Sequence, residues 1–461
     1  MKCVMKRGNE LTKNFQNVNR KRGYISLYDC CFFYVIIAPI IPDWFAIVGI
    51  DARNFLALCL ILAFLTFFSI NHRITINFNK KFRFLLCAFL LWGFEQIFIY
   101  AYSENIMEGV YIIIRCCIAP CIVMVSISAR EQFVHMLKEI ANASGVVAIF
   151  GIIESFTHFN VFSLLNNTGT VLNYNHLRFG LLRIISSGNQ TNSYCLYLMF
   201  MLSIVFYILQ ISEKRSEKRK YVYIYILLWS NVFLTLSRSM ILISIALQLV
   251  LLYFSGFKKF IKSLSIIFIC IIAILLCMSV VWPEMFEKIS KIGYMFLAVF
   301  DSSYETMFAS AMGENATDAT GHRLLLYQWI AESMNGNWLL GNGMNTQFKY
   351  AYANTNGIYN WTSYKYSIEV QVLNLLYHGG IVTVIAEFML YIACIVQATK
   401  KMLKPAKWEK KISFSFVVFS ICVAYFISLF SISRSSEWKL FCIIIALMCS
   451  YQNCKKFNCE E

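Results

Sequence analysis

Charge is what this sequence has little of. Asp, Glu, Lys and Arg make up only 14% of its 461 residues, where a soluble domain averages roughly 25%. Also missing are strands of about 10 residues that alternate apolar and polar, which excludes an outer-membrane barrel. No Cys-x-x-Cys with a downstream pair occurs, and the long polar loops hold none of the 17 cysteines. The thiols therefore read as small buried hydrophobes, with no metal site and no disulfide framework implied. No small-residue cleavage site follows the first apolar run, so that run is expected to be an uncleaved helix. What the chain does have is 59% hydrophobic residues, 16% aromatic residues and a mean hydropathy of +0.60. They are gathered in runs of about 20, the length that crosses a bilayer as helix. A secreted or cytosolic enzyme and a disordered scaffold are excluded.

Hydropathy places spans near 24–41, 54–70, 84–102, 107–127, 141–157, 190–211, 221–236, 240–256, 264–283, 369–396, 412–430 and 440–451. The expectation is an all-α polytopic membrane protein of about 12 transmembrane helices, a single membrane domain over 1–461. The formal charge of +16 raises the question of a nucleic-acid partner, and the placement of the charges answers it. Lys2, Lys6, Arg7, Lys13, Arg20, Lys21 and Arg22 precede the first span, and most other Lys and Arg fall in alternate short loops. That is the positive-inside pattern of a bilayer, with both termini cytoplasmic and no nucleic acid implied. Two outer segments exceed plain connectors: 158–189, and 284–368 between spans nine and ten. Loops of such length are usually functional or disordered. The periodicity of His322–Ser333 predicts a short amphipathic helix inside the larger one, lying along the membrane surface.

Charges that topology does not explain are candidates for chemistry, because a charge at the membrane edge is costly. Arg183 precedes span six in Leu182-Arg183-Ile184-Ile185-Ser186-Ser187-Gly188. Arg238 sits in the short turn Leu234-Thr235-Leu236-Ser237-Arg238, and Arg323 opens the amphipathic piece at Gly321-His322-Arg323. All three fall on the outer side, and a planar guanidinium binds phosphate oxygens in bidentate fashion. Snorkelling, or pairing with a carboxylate, is the competing explanation for each, and Arg178 competes with Arg183 for the same role. Inside the spans, Glu95, Glu154 and Glu387 read as interhelical partners, for instance Glu95 with Arg115. Glu369 starts span ten, where it is either a first-turn cap or a catalytic carboxylate; His378, deeper in the same span, reads as a packing or hydrogen-bonding residue. The run 350–366 interleaves Tyr359, Trp361, Tyr364 and Tyr366 with asparagines. It suits a sugar, or simply the membrane interface where aromatics collect.

Four stretches, in order, resemble the O-antigen ligase and polymerase superfamily of bacterial envelope glycosyltransferases. They are Arg183 through Gly188 to Asn192; Leu234-Thr235-Leu236-Ser237-Arg238; Gly321-His322-Arg323 with Trp329 and Leu340-Gly341-Asn342-Gly343; and Glu369 through His378-Gly379-Gly380 to Val382. Ligases of this superfamily typically begin the last stretch with His-Asn, where this chain has Glu369-Val370, so it looks more like the repeat-unit polymerases.

The resemblance implies a GT-C-like membrane fold and a metal-independent, cofactor-free glycosyltransferase of the bacterial inner membrane, acting on its outer side. Donor and acceptor would both be undecaprenyl-diphosphate-linked oligosaccharides for O-antigen, capsule or exopolysaccharide. A flippase and a chain-length regulator would be partners. In this scheme Arg183, Arg238 and Arg323 hold the diphosphate, Glu369 deprotonates or orients the hydroxyl, and Tyr359, Trp361, Tyr364 and Tyr366 meet the sugar. The alternatives are a ligase of the same superfamily and, in another class, a flippase of the same lipid-linked units.

Overall fold

The computed structural model describes residues 26–71, 82–169, 177–178, 181–284, 286–287, 321–334, 336–353, 359–365, 368, 370–403, 405–406, 408–409, 411–432 and 438–453. Described helices, in chain order, are α1 (Leu27–Ile37), α2 (Ala52–Asn71), α3 (Arg83–Tyr102), α4 (Ile106–Ile113), α5 (Ala119–Ser126), α6 (Arg130–Thr157), α7 (Thr191–Ile211), α8 (Arg215–Leu234), α9 (Arg238–Ser255), α10 (Phe257–Val281), α11 (Gly321–Ser333), α12 (Gln371–Thr399), α13 (Phe414–Ser428) and α14 (Trp438–Asn453). Among the described residues, three two-stranded antiparallel hairpins accompany them: β1 (Ala46–Ile47) with β2 (Ile50–Asp51), β3 (Leu177–Arg178) with β4 (Leu181–Leu182), and β5 (Phe348–Ala353) with β6 (Tyr359–Lys365).

Among the described residues, six stretches are long and apolar enough to cross a membrane: Ala52–Ile70, Arg83–Tyr102, Ile106–Ser126, Arg130–Thr157, Thr191–Ile211 and Gln371–Thr399. Leu27–Ile37, Ser239–Ser255, Phe414–Ser428 and Trp438–Gln452 are shorter apolar helices at positions where the hydropathy also expects spans. The chain is a multi-pass helical membrane protein.

Local sequence explains several boundaries. Ser26 and Asp29 form a reciprocal capping box that starts α1, and the Ser413 hydroxyl accepts the Phe416 amide to start α13. Between α4 and α5 the chain widens into a π-turn over Ile114–Ile118. Pro120 follows at once; it lacks an N–H and its ring clashes with a carbonyl one turn back, so the widened turn absorbs it without breaking the span.

The core is centred on α7, which is buried without a break from Ser193 to Ile208, as expected of a helix apolar all round. Among the described cysteines all thiols are free; Cys31, Cys116, Cys195, Cys394, Cys422, Cys442 and Cys449 are buried, as their reading as small buried hydrophobes expects, whereas Cys59, Cys87 and Cys277 are exposed. At the end of the bundle where α12 gives way to α13, the Glu409 carboxylate accepts the Tyr207 and Tyr451 hydroxyls, each at 2.6 Å, and the Ala406 and Phe414 amides at 2.6 and 2.9 Å. Burial holds this carboxyl above the ordinary carboxylate range, and the four donors oppose that shift.

One sequence expectation is corrected. Arg115 does not pair with Glu95; it is held by Glu108 at 3.0 Å, with Asn54 at 3.3 Å and Asp51 at 3.9 Å. Glu95 instead meets α12 through Thr383. Arg115 lies in the π-turn, whose extra residue shifts the helical phase and carries the guanidinium toward α2 and the start of α4.

Candidate functional site

Two constructions meet the motifs singled out from the sequence. The first joins the segment before α7 to the turn between α8 and α9. Arg183 is half-buried; its Nε donates to the Thr235 carbonyl at 3.3 Å and its Nη2 to the Thr191 hydroxyl at 2.8 Å. The Ile184 amide donates to Leu234 O at 3.4 Å, and Ser237 Oγ donates to Asn192 Oδ1 at 2.5 Å. Leu236 takes a positive φ of 51° to make the turn, and the next residue but one, Arg238, is the first of α9. Arg183 and the backbone of Arg238 are thus brought into one cluster. The Arg238 side chain itself lies outside the described residues.

What holds Arg183 there is an acid that sequence reasoning misread. Glu154, near the end of α6 and buried, does not pair with a cation on another helix through its described bonds. Its two oxygens accept the Ile185 and Ser186 amides at 3.1 and 2.7 Å. Ser186 adopts φ 47°, and its carbonyl accepts Asn160 Nδ2 at 2.9 Å. Consecutive amides pointing at one carboxylate make an anion-binding concavity, here filled by the protein's own acid. The run Ile185-Ser186-Ser187-Gly188 was the available signal, since a sharp turn exposes consecutive amides that need an acceptor.

The second construction is a break in α12. Gly380 has φ 68° and ψ −169°, where a side chain is not tolerated. The amides of Ile381 and Val382 turn away from their own helix to Trp338 O (2.8 Å) and Leu339 O (3.3 Å). The carbonyls of Tyr377 and His378 accept the Asn342 amide (2.8 Å) and the Gly343 amide (2.9 Å). Four loop bonds therefore stand where a straight helix has two of its own. The crossing is so close that a Cβ on Gly341 would sit 2.5 Å from the His378 carbonyl carbon, and one on Gly380 2.3 Å from Leu339 O. His378 is buried and donates from Nδ1 to Gly343 O at 2.9 Å, the hydrogen-bonding role its position predicted. The loop is tied down further by the Met344 amide on Ser103 Oγ at 2.7 Å, at the end of α3.

The amphipathic helix exists as expected, as α11. Leu326, Ile330 and Met334 pack with Phe348 of β5 and with Ile368, Val370, Leu373 and Tyr377 in a small separate core. Arg323 belongs to α11 by backbone, so its helix is anchored on the first half of α12; its side chain lies outside the described residues. Tyr359, Trp361 and Tyr364 fall on β6 by backbone alone, and Tyr366 and Glu369 lie outside the described residues altogether. Residues 368 and 370, on either side of Glu369, are both buried. Among the described residues no group of three His, Cys, Asp or Glu is placed to hold a metal ion.

A groove of about 480 Å³ opens between α3, the span from Ile113 to Met124, and α14. Phe82, Phe89, Phe94, Cys117, Met124 and Ile445 are among its lining residues, an apolar wall suited to hydrocarbon.

Residues 223–387 match the family model described as O-antigen ligase. The match begins in α8, takes in Arg238, Arg323 and Glu369, and ends seven residues past the break in α12; Arg183 lies before it. The resemblance read from the four motifs is borne out over this part of the chain. No curated protein matches the chain significantly.

Proposed function

We propose, from residues that match the O-antigen ligase family, that this chain polymerises undecaprenyl-diphosphate-linked oligosaccharide repeat units at the outer face of the bacterial inner membrane. The observation that carries the reading is the fork of Arg183, fixed on Thr235 and Thr191 beside the turn that launches Arg238. A hydroxyl of the acceptor unit attacks the anomeric carbon of the donor glycan. The new glycosidic C–O bond forms as the bond to the lipid diphosphate breaks, and the diphosphate leaves with the electron pair. Negative charge therefore builds on phosphate oxygens, which fixed guanidinium groups stabilise. In this reading Arg183, Arg238 and Arg323 receive the diphosphate, Glu369 takes the hydroxyl proton, and Tyr359, Trp361, Tyr364 and Tyr366 lie along the sugar. The apolar groove on α3 takes part of the isoprenoid tail. All twelve expected spans belong to this proposal, as do both termini in the cytoplasm.

The ligase reading has one observation in its favour, the description of the matching family. Against it stands Glu369-Val370 where ligases carry His-Asn. Gel analysis of surface polysaccharide separates the two in a deletion strain complemented with wild type or Arg238→Ala. A polymerase defect leaves single repeat units. Lipid-linked polymer left unattached identifies a ligase, and normal chains from Arg238→Ala remove the arginine from the mechanism.

A further inference from the structure

The turn that leads into Arg238 breaks two local rules. Ser237 stands just before α9, where a serine ordinarily turns its hydroxyl onto the second or third amide of the helix it starts. Here the hydroxyl makes no such bond. It is given instead to Asn192 Oδ1 at 2.5 Å, a length that suits O–H···O and is short for an amide nitrogen. Leu236, one residue earlier, carries a positive φ of 51°, which a leucine adopts only where its surroundings enforce it. Thr235 uses its own hydroxyl inside the turn, donating to Val232 O at 2.7 Å and accepting the Ser237 amide at 3.4 Å.

Both departures are enforced from one place. Thr191 and Asn192 are the first two residues of α7, about 100° apart around the helix, so they reach the turn along different lines. Thr191 Oγ1 accepts Nη2 of Arg183, whose Nε holds the Thr235 carbonyl. Asn192 takes the Ser237 hydroxyl directly. α7 is buried without a break from Ser193 to Ile208, so the turn is referenced to the helix with the least room to move. Ser237 is only 3% exposed, which keeps competing water away from its hydroxyl. A serine that forgoes its cap weakens the helix it starts, and a local rule broken in this way marks a place where geometry outweighs helix stability.

We propose that Asn192 and Ser237 are positioning residues: their hydrogen bond fixes where the backbone of Arg238 enters α9, and so sets the place from which its guanidinium meets the lipid diphosphate. The inference rests on the reading above, in which Arg238 receives that group. Neither residue touches substrate in this scheme. Asn192 acts on Arg238 through Ser237, while Thr191 and Arg183 fix the other side of the same turn. Without the clasp, the Ser237 hydroxyl falls back on its own helix as an ordinary cap, Leu236 relaxes toward negative φ, and Arg238 shifts with them.

Undecaprenyl diphosphate titrated into the purified full chain in lipid nanodiscs, with bound lipid counted by native mass spectrometry, tests this. Arg238→Ala is expected to weaken retention at least about tenfold, the contribution of a charge-assisted hydrogen bond. Asn192→Ala and Ser237→Ala are expected to reproduce most of that loss, and the double variant to lose no more than either alone. Ser237→Thr, which keeps the hydroxyl, should bind as the wild type does. Hydrogen exchange over 235–241 should quicken in both alanine variants. The two single variants remove one bond from opposite ends, so one that fails to fold leaves the other to decide. A purely structural contact would lower the unfolding midpoint and leave the affinity of the folded chain unchanged. Wild-type affinity in a folded Asn192→Ala or Ser237→Ala, beside a loss in Arg238→Ala, therefore overturns the proposal. So do additive losses in the double variant, or exchange that neither substitution alters. Equal binding by wild type and Arg238→Ala, or none by either, defeats the reading of Arg238 itself and the positioning role with it, a result recognised from Arg238 alone.

Discussion

Replacing Gly380 with alanine tests whether the loop and the broken helix are one structure. A Cβ there would meet Leu339 O at 2.3 Å and the Gly341 amide nitrogen at 2.6 Å, both backbone atoms that no rotamer change relieves. The chain has two ways out. Keeping the break leaves alanine in a region that costs about 1–3 kcal/mol, and pushing Leu339 away forfeits at least the bond from Val382, another ~0.5–1.5 kcal/mol. Straightening the helix gives up the four loop bonds and regains two, a net loss of about 1–3 kcal/mol, and strands loop amides and carbonyls at ~1–3 kcal/mol where they stay buried. Both routes converge on a destabilisation of roughly 2–4 kcal/mol. Gly336→Ala is the control: its φ of 86° is also positive, but no heavy atom lies within 4 Å of the added carbon, so about 1 kcal/mol of strain is all it should cost. Unfolding of both variants in detergent, followed by tryptophan fluorescence, measures the difference. Equal losses for the two would show that the clasp between 338–343 and 377–382 contributes nothing, and would refute the reasoning.

Arg183→Lys is expected to lose surface polymer as completely as Arg183→Ala, because an ammonium group cannot span the Thr235 carbonyl and the Thr191 hydroxyl with a planar fork; full-length chains from the lysine variant would separate fork geometry from function. Glu369→Gln should abolish polymer while protein level stays at wild type, and wild-type polymer would return Glu369 to a capping role. Glu154→Ala leaves the Ile185 and Ser186 amides without their acceptor and should cost about 2–4 kcal/mol, whereas Glu154→Gln, which retains one acceptor oxygen, should cost roughly half as much; a neutral effect of the alanine on the unfolding midpoint would show that the amides find water. Glu409 makes a pH prediction. Its folded carboxyl is shifted upward by burial, so the folded state holds the proton more tightly than the unfolded one. Stability from this group is complete below the unfolded value of about 4.3 and is lost as pH rises through the folded one. The unfolding midpoint should fall across that window, and the part of the fall due to this residue should vanish in Glu409→Gln; a pH profile that the substitution leaves unchanged would remove Glu409 as its source.

What the sequence made legible is what depends on composition over a stretch, and what it hid depends on which distant residue arrives opposite. Runs of about 20 apolar residues located α3, α6 and α7 because burying backbone in hydrocarbon demands such runs whatever the neighbours are. The shortness of Leu234–Arg238 likewise showed that Arg238 lies at a span end, and the short helix at 321–333 followed from its periodicity. The partner of Glu95 was not legible. Arg115 looked suitable because opposite charges attract, but a single π-turn at Ile114–Ile118 rotates Arg115 toward Glu108 and Asn54, and hydropathy carries no trace of that rotation. The break in α12 was hidden for a related reason: the span at 369–396 averages as strongly apolar, and an average is blind to the positive φ of one residue. The pair Gly379-Gly380 held the information. Two adjacent residues without Cβ in a membrane helix leave room for another backbone to approach, and the loop carrying Gly341 and Gly343 is the backbone that does so. In this chain, glycines facing glycines across more than 35 residues of sequence place the loop on the helix, and the buried acid then sits beside the gap they make.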